Sequence, residues 1–499
     1  MFKLTGKDIL KAYAKTKNSA RIALRRNKVE KSLRYIELSA KVAYSYNYFY
    51  ADEELEEILN EVSQRIITND KEFVPLQNHY VFYDYAGQDH RGLTQQYLRA
   101  FMSMDVHILY ILEYHTPELN KEIFAELTVY PKASFLIIDK SRSLTNQILQ
   151  VYSKIVEFRP DKIFMHLFPW DVVAVSVFNR IRNATRYQIN LTDHTFWLGV
   201  KCSDFVLEFR DYGATISLQK RHIPLEKLLK LPYYPVIDCA PFQGLPFDIE
   251  KHEHVIIFTG GSLYKTLGDN YAFYEIIKNI LKANQEVILL LAGNGSGMDF
   301  IRKFIVDNGF ESRMFLLGNR ADINYLFAIS DIYLGTYPLC GGLMTQYAAF
   351  NGKPILAYTD KSIECNQLDG ILYNVPEDLI VTHTDKNAFY AEAERLIRDK
   401  AYREEIGRRL RNCVIKNNDF KDKLQAFIMK PDKKDTIVIK NIDYERFAEL
   451  NLEVENEFSA FCRKSILKEF RLRAFWYFPK QTFSYMFSNS IYTDLKKIF

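Results

Sequence analysis

Nowhere in the 499 residues does an apolar run reach the eighteen or so that a membrane-spanning helix requires, so no such helix is expected. Cysteine is scarce too. The six (Cys202, Cys239, Cys340, Cys365, Cys413 and Cys462) are scattered without a CxxC pair, which argues against zinc and disulfides and suits a reducing cytoplasm. Tryptophan occurs only 3 times, although Phe and Tyr bring the aromatic share to 14%. The first residues, MFKLTGKDILKAYAK, carry lysines throughout and lack the apolar core of a secretory signal. No repeat of roughly 20–50 residues is visible, which removes solenoids and propellers. What remains, at 48% hydrophobic and 26% charged, is a globular composition too long for one ordinary core.

Charge is unevenly placed. The formal net charge is +4, but residues 1–34 carry +9 and residues 463–499 carry +6, leaving −11 on the body between them. Two basic ends on an acidic body, with no recognition motif, fit nucleic acid poorly. The stretch FRLRAFWYFPKQTFSYMF interleaves Arg and Lys with rings. Such a segment either docks its aromatics on the body or meets an anionic membrane surface.

Periodicity divides the chain. The first seventy or so residues read as helical, with apolar residues at three-to-four spacing, one Gly and no Pro. From His79 apolar β-type runs alternate with helical segments: HYVFYDY, a helix over 91–103, VHILYILEY, ASFLIID, a helix over 143–157, KIFMHLF, a helix over 171–182, RYQINLT and DFVLEF. That alternation predicts a parallel sheet. Four prolines (Pro232, Pro235, Pro241, Pro246) in a non-periodic stretch read as an interdomain linker. A second series follows from Val255: VIIFTGG, a helix over 270–283, EVILLLAG, MFLLG, IYLGTY, PILAY and LIVT, closed by one long helix from Lys386 to about Asn417. The expected division is a helical extension over 1–77, Rossmann-like domains over 78–245 and 246–425, and a helical, basic-aromatic extension over 426–499. Ligands would sit in a cleft between the two α/β domains.

Two glycine turns carry the chemistry. In IYLGTYPLCGGLMTQYAAFNGKPILAY, a strand meets Cys340-Gly341-Gly342 and then a helix whose first N–H groups face an anion. In VIIFTGGSLYKTL, a strand meets Gly260-Gly261-Ser262, and Lys265 follows four residues after Gly261. Both turns lie at carboxyl ends of strands, where open α/β sheets bind ligands. Lysines are mostly solvated surface residues. Two such turns and one lysine converging on a diphosphate is the more economical account.

Over roughly residues 79–425 the chain resembles a GT-B glycosyltransferase. FTGGSLYKTL is similar to the phosphate-contacting loop of the O-GlcNAc transferase family and the bacterial adhesin-modifying glucosyltransferases, with a looser likeness to the large glycosyltransferase group 1 class. The resemblance implies that Lys265, with Gly261 and Ser262, grips a nucleotide diphosphate. It places Gly318, Asn319 and Arg320 beside the base, and Cys340, Gly341, Gly342, Leu343 and Met344 at the phosphate-facing helix. In the first domain DYAGQDHRGLTQQYLRAF has the layout of the glycine loop after the first strand, with Gly87, His90 and Gly92 on the acceptor side. QINLTDHTFWLG occupies the place where many such enzymes carry a strand-end histidine, making His194 and Asp193 the catalytic candidates. Tyr347 stands where many GT-B enzymes hold the ribose with a carboxylate. The glutamates eight apart of many retaining members would be Leu339 and Tyr347, and neither is acidic. No DxD pair sits at a strand end, as expected if Lys265 and helix termini replace a metal at the leaving diphosphate.

The function implied is metal-independent transfer of a sugar from a nucleotide-sugar, UDP-sugar favoured, to a glycan, lipid-linked or protein acceptor. No cofactor is expected, and the setting is cytoplasmic or peripheral to a membrane. A histidine near neutrality suits a hydroxyl proton, so His194 is the proposed base; a structural histidine bonded to a carbonyl is the plain alternative. His166, on an apolar strand, reads as a core residue, and Arg210 and Arg221 as possible aids to phosphate or acceptor binding. Two other readings stay open: a degenerate GT-B subunit that binds without chemistry, motivated by Tyr347, and an epimerase-like enzyme acting on the nucleotide-sugar alone.

Overall fold

The computed structural model describes residues 3–68, 73–85, 87–237, 240–246, 254–295, 297–361, 368–430, 436–459 and 461–487. It divides into two compact units, one of residues 1–231, 421–439 and 460–499, the other of residues 232–420 and 440–459.

The first unit opens with three amphipathic helices, α1 (Gly6–Arg25), α2 (Val29–Tyr46) and α3 (Glu53–Ile66). Thr5 and Asp8 cap the start of α1 reciprocally, satisfying donors that a helix end leaves open. An α/β series follows: β1 (His79–Asp84), α4 (Thr94–Ser103), β2 (His107–Leu112), α5 (Lys121–Val129), β3 (Ala133–Ile137), α6 (Leu144–Phe158), β4 (Lys162–His166), α7 (Val172–Phe178), β5 (Thr185–Asn190), β6 (Phe205–Glu208), α8 (Asp211–Gln219) and β7 (Leu228–Lys230). The seven strands form one parallel sheet in the order β3-β2-β1-β4-β5-β6-β7. Strand order reverses between β1 and β4. Register aligns the last residues of four strands, Ile137, Leu112, Asp84 and His166, in one row. The aromatic excess is spent in this core: Phe164 stacks on Tyr187 at 4.9 Å and packs on Phe101 at 4.6 Å.

The second unit repeats the plan with β8 (Val255–Gly260), α9 (Gly268–Ala283), β9 (Val287–Ala292), α10 (Met298–Asp307), β10 (Met314–Gly318), α11 (Ile323–Ile329), β11 (Ile332–Leu334), α12 (Gly342–Phe350), β12 (Ile355–Tyr358) and β13 (Thr382–His383). Its parallel order is β10-β9-β8-β11-β12-β13, reversing between β8 and β11. The remaining helices are α13 (Lys386–Arg398), α14 (Lys400–Arg411), α15 (Asn417–Met429), α16 (Tyr444–Val454), α17 (Phe461–Phe470), α18 (Ala474–Tyr477) and α19 (Pro479–Phe487).

Several expectations are corrected. The single helix from Lys386 breaks at Asp399, whose extended backbone lets its carboxylate cap α14 through the Tyr402 N–H. LIVT shrinks to a two-residue edge strand, with Ile380 exposed. The helix expected to reach residue 182 stops at Phe178. The second unit starts at Pro232 instead of residue 246, because the proline-rich stretch packs onto α12. There the Tyr233 carbonyl accepts from Gln346 at 2.8 Å and the Val236 carbonyl from Tyr347 at 3.0 Å. Cys239 and Cys365 lie outside the described residues.

The basic-aromatic segment docks within the first unit. Phe470, Tyr477 and Phe478 are buried, the Tyr477 hydroxyl meets Ser19 at 2.9 Å, and Gln481 donates to Asp8. Leu472, Trp476 and Phe483 are left exposed.

Candidate functional site

In the second unit, the β8 and β11 ends flank the point where strand order reverses, the usual ligand position of an open α/β sheet. The chain after β8 passes through Gly261 and Ser262, both exposed, into a short 3-10 turn over Leu263–Thr266. The half-buried Lys265 extends from this turn, and its Nζ donates to the Cys340 carbonyl at 3.0 Å. The Lys265 carbonyl in return accepts from the Leu339 N–H at 3.2 Å. The ammonium is therefore held one residue before Gly341, the N-cap of α12.

The first bond inside α12 runs from the Thr345 N–H to the Gly341 carbonyl, so the N–H groups of Gly342, Leu343 and Met344 have no acceptor within the helix. A Cβ built on Gly260 comes 3.4 Å from the Met344 methyl, placing the two glycine turns side by side. Gly293 completes the edge. Its N–H donates to the Gly318 carbonyl at 2.8 Å, and a Cβ there would fall 2.1 Å from the Gly261 carbonyl, so only glycine permits this approach. Lys265, Gly261, Ser262, Gly318, Cys340, Gly341, Gly342, Leu343 and Met344 thus share one sheet edge: a cation, open backbone donors and glycine backbone, a set suited to an anion.

Two residues of the expected donor set are placed differently. The Arg320 guanidinium is pinned to Asp322 (2.6 and 2.7 Å) and to the Gly244 carbonyl (2.7 Å), and it organises its own loop. Burial opposes ionisation of Asp322, but Arg320 and the Gln243 N–H outweigh it and hold the carboxyl below its usual range. Tyr347 lies in the core, its ring stacked on Phe327 and its hydroxyl on the Val236 carbonyl, so it contributes packing in place of a ribose-binding carboxylate. Asn319, next to Arg320, is exposed.

In the first unit, Asp193 and His194 follow β5. Asp193 is buried and accepts from Arg210 at 2.6 and 3.2 Å. Burial raises its pKa, yet the Arg210 charge and the His194 hydrogen bond prevail and hold it far below the carboxylate range. His194 Nδ1 lies 3.2 Å from Asp193 Oδ1, and its ring is 43% exposed. A carboxylate that accepts at Nδ1 leaves Nε2 as the acceptor nitrogen, the arrangement of an oriented base. Arg210 and Arg221, expected as aids to ligand binding, are 6% and 2% exposed, and Arg221 donates to the Asp193 and Thr195 carbonyls. They hold the His194 loop.

The loop after β1 carries Gly87, His90 and Gly92. A Cβ on Gly87 would lie 2.3 Å from the Tyr110 hydroxyl, so this position demands glycine. His90 is tied through Nε2 to Glu122 at 2.7 Å. Beneath the loop is a pair that sequence reasoning did not assemble: buried His166 places Nδ1 3.1 Å from Asp84 Oδ1, while Thr94 and Tyr110 donate to Asp84 Oδ2. The burial expected for His166 is observed, and its signal in the sequence was a polar residue ending each of two apolar strands.

No family model and no curated protein matches the sequence. Solved structures do. HepE of Anabaena, in complex with UDP-glucose, is 15% identical over 70% of this chain and 99% of that chain, with a TM-score of 0.51. The fold is GT-B. S. aureus TarM adds a match at 11% identity, 71% of this chain and 99% of that chain, and a TM-score of 0.51. A variant of the Thermobaculum terrenum O-GlcNAc transferase spans 91% of this chain and 85% of that chain at 13% identity and a TM-score of 0.48. At these identities the likeness is one of architecture.

Proposed function

We propose that this chain is a metal-independent glycosyltransferase that takes a sugar from a nucleotide-sugar, a UDP-sugar by preference, to a glycan, lipid-linked or protein acceptor. The observation that carries the reading is the placement of the Lys265 ammonium 3.0 Å from the Cys340 carbonyl, at the open N-terminus of α12. Lysine and helix end together neutralise a leaving diphosphate, the task a metal performs elsewhere. The GT-B fold and the bound UDP-sugar of a structural neighbour support the same chemistry. His194, held through Asp193, is the proposed base for the acceptor hydroxyl. Arg471, Arg473 and Lys480, beside exposed Leu472, Trp476 and Phe483, support peripheral attachment to an anionic membrane.

Thermal unfolding against UDP-, GDP-, ADP- and CMP-sugars tests the donor. A ligand at 100 times its Kd adds about 2.7 kcal/mol of stability, and UDP-sugar turnover persisting in EDTA is the companion result. If none of these nucleotides shifts the midpoint, the reading is abandoned. One observation favours the degenerate-subunit alternative: burial of Tyr347 where many relatives of this fold use a ribose-binding carboxylate. Nucleotide binding without turnover selects that alternative. Isomerisation of the nucleotide-sugar with no acceptor added selects the epimerase-like one.

A further inference from the structure

The loops after β2, β3 and β4, with residues of α2 and α6, line a cavity of about 210 Å³ in the first unit, apart from the residues discussed so far. Its polar side is assembled from three loops, with Glu37 of α2, paired with Lys41, and Gln147 of α6 beside them. Glu113 follows β2, Lys140 precedes α6, and Asp171 is the N-cap of α7. Lys140 Nζ donates to Glu113 Oε1. Glu113 and Asp171 are 7% and 4% exposed, yet Glu113 Oε2 and Asp171 Oδ2 lack a well-formed hydrogen bond. Burial and the facing Asp171 carboxyl push Glu113 above the usual range, and burial raises Asp171, so the two are disposed to share a proton.

The opposite side is aromatic. Phe168 stacks on Trp170 with centroids 5.0 Å apart and planes 13° apart, and Tyr114 meets Phe168 edge-on at 6.0 Å. The Lys140 ammonium lies 4.8 Å from the Tyr114 ring, tying the two sides together.

The chemistry narrows the guest. The shared proton and the Lys140 ammonium only balance the two carboxyls, so no surplus positive charge is left to hold a phosphate or another anion. The volume falls below the ~300–1,000 Å³ of a drug-sized ligand and leaves no room for a nucleotide. Aromatic carbon opposite hydrogen-bond acceptors suits a neutral molecule with C–H on one face and O–H on its rim. A shared proton uses only one lone pair of each carboxyl, and a guest hydroxyl that donates to a remaining lone pair offsets the cost of burying these acceptors.

We propose that this cavity is a carbohydrate subsite, holding one sugar ring of the acceptor with its C–H face on Phe168, Trp170 and Tyr114 and its hydroxyls donating to Glu113 and Asp171. Sugar binding stands on the cavity alone; the word acceptor rests on the transferase reading above.

Saturation-transfer-difference NMR tests it on the full chain, with the methyl glycosides of glucose, galactose, mannose and N-acetylglucosamine, and glycerol as the control without a ring. At least one glycoside should receive saturation on the C–H protons of one face. Tyr114→Ala, at a 49% exposed position that the fold tolerates, should weaken that glycoside roughly three- to tenfold, and Tyr114→Phe should retain it. Glu113→Gln should weaken it as well, with an unchanged unfolding midpoint as the check on folding. Binding of UDP, GDP, ADP and CMP by the wild type is measured on the same preparation. No glycoside signal, or a signal equally strong in folded Tyr114→Ala and Glu113→Gln, overturns the subsite; UDP binding at that point leaves the transferase reading standing. The Tyr114-dependent signal without binding of UDP, GDP, ADP or CMP supports the sugar site and removes the transferase reading instead.

Discussion

On the proposed function, Lys265→Ala takes a charge-assisted donor away from the donor's diphosphate while leaving the fold of the second unit intact. An ammonium has three protons, and Lys265 spends one on the Cys340 carbonyl, so two remain for phosphate oxygens in the same pose. A hydrogen bond to a charged group is worth about 1.5–3 kcal/mol, equivalent to roughly a 10- to 150-fold rise in the Kd for UDP. Losing the Cys340 contact costs the free protein only about 1 kcal/mol, because the side chain is half-buried and water reaches the carbonyl. Isothermal titration with UDP at low and high salt reads both effects. The wild type should weaken as salt rises, and the variant should weaken less, having one cation fewer to screen. Lys265→Arg keeps the charge and should recover part of the affinity. A folded Lys265→Ala protein that binds UDP within twofold of wild type, with the same salt slope, would falsify the diphosphate clamp.

Three further outcomes follow from the geometry. Asp193→Asn leaves the Arg210 guanidinium buried without its anion and should cost about 3–5 kcal/mol in urea unfolding; because the folded pKa of Asp193 is depressed, its contribution is present above about pH 4 and lost on acidification, so the variant should show a flatter acid limb. Glu56 is raised to about 7, first by burial, against the Gly199 and Val200 N–H groups that it accepts; its contribution is complete below about pH 4 and lost as pH rises through 7, roughly 3 kcal/mol in all, and Glu56→Gln should remove that slope between pH 5 and 8. Gly293→Ala forces a Cβ to within 2.1 Å of the Gly261 carbonyl and should lower stability by about 1–3 kcal/mol and loosen UDP binding in the same titration, whereas an unchanged midpoint and Kd would show that the turn yields freely.

Much of the fold was legible because its signals are local. Apolar runs such as VIIFTG and KIFMH are buried on both faces, so they read as continuous strands, and helices with one buried stripe keep a 3.6-residue period. The glycine turns were legible for the same reason, since a strand, two glycines and a helix occupy adjacent positions in the chain. Less visible were the ends of elements. Asp399 belongs to an unbroken helical pattern, and only its carboxylate on the Tyr402 N–H turns it into a cap.

The sequence by itself determined the two parallel βα series, the strand ends that carry the glycine turns, and the candidacy of Lys265 and His194; periodicity and turn chemistry need only neighbouring residues. Tertiary structure alone decided what each polar side chain is spent on. Arg320 and Arg210 look like ligand cations until Asp322 and Asp193 are seen to hold them, and Tyr347 looks like a site residue until its hydroxyl meets Val236. Asp84 and His166 are 82 residues apart, and the register of β1 against β4 brings them into contact. Glu113 and Asp171 come to line one cavity through the same sheet, because parallel strands deliver distant loops to a common edge.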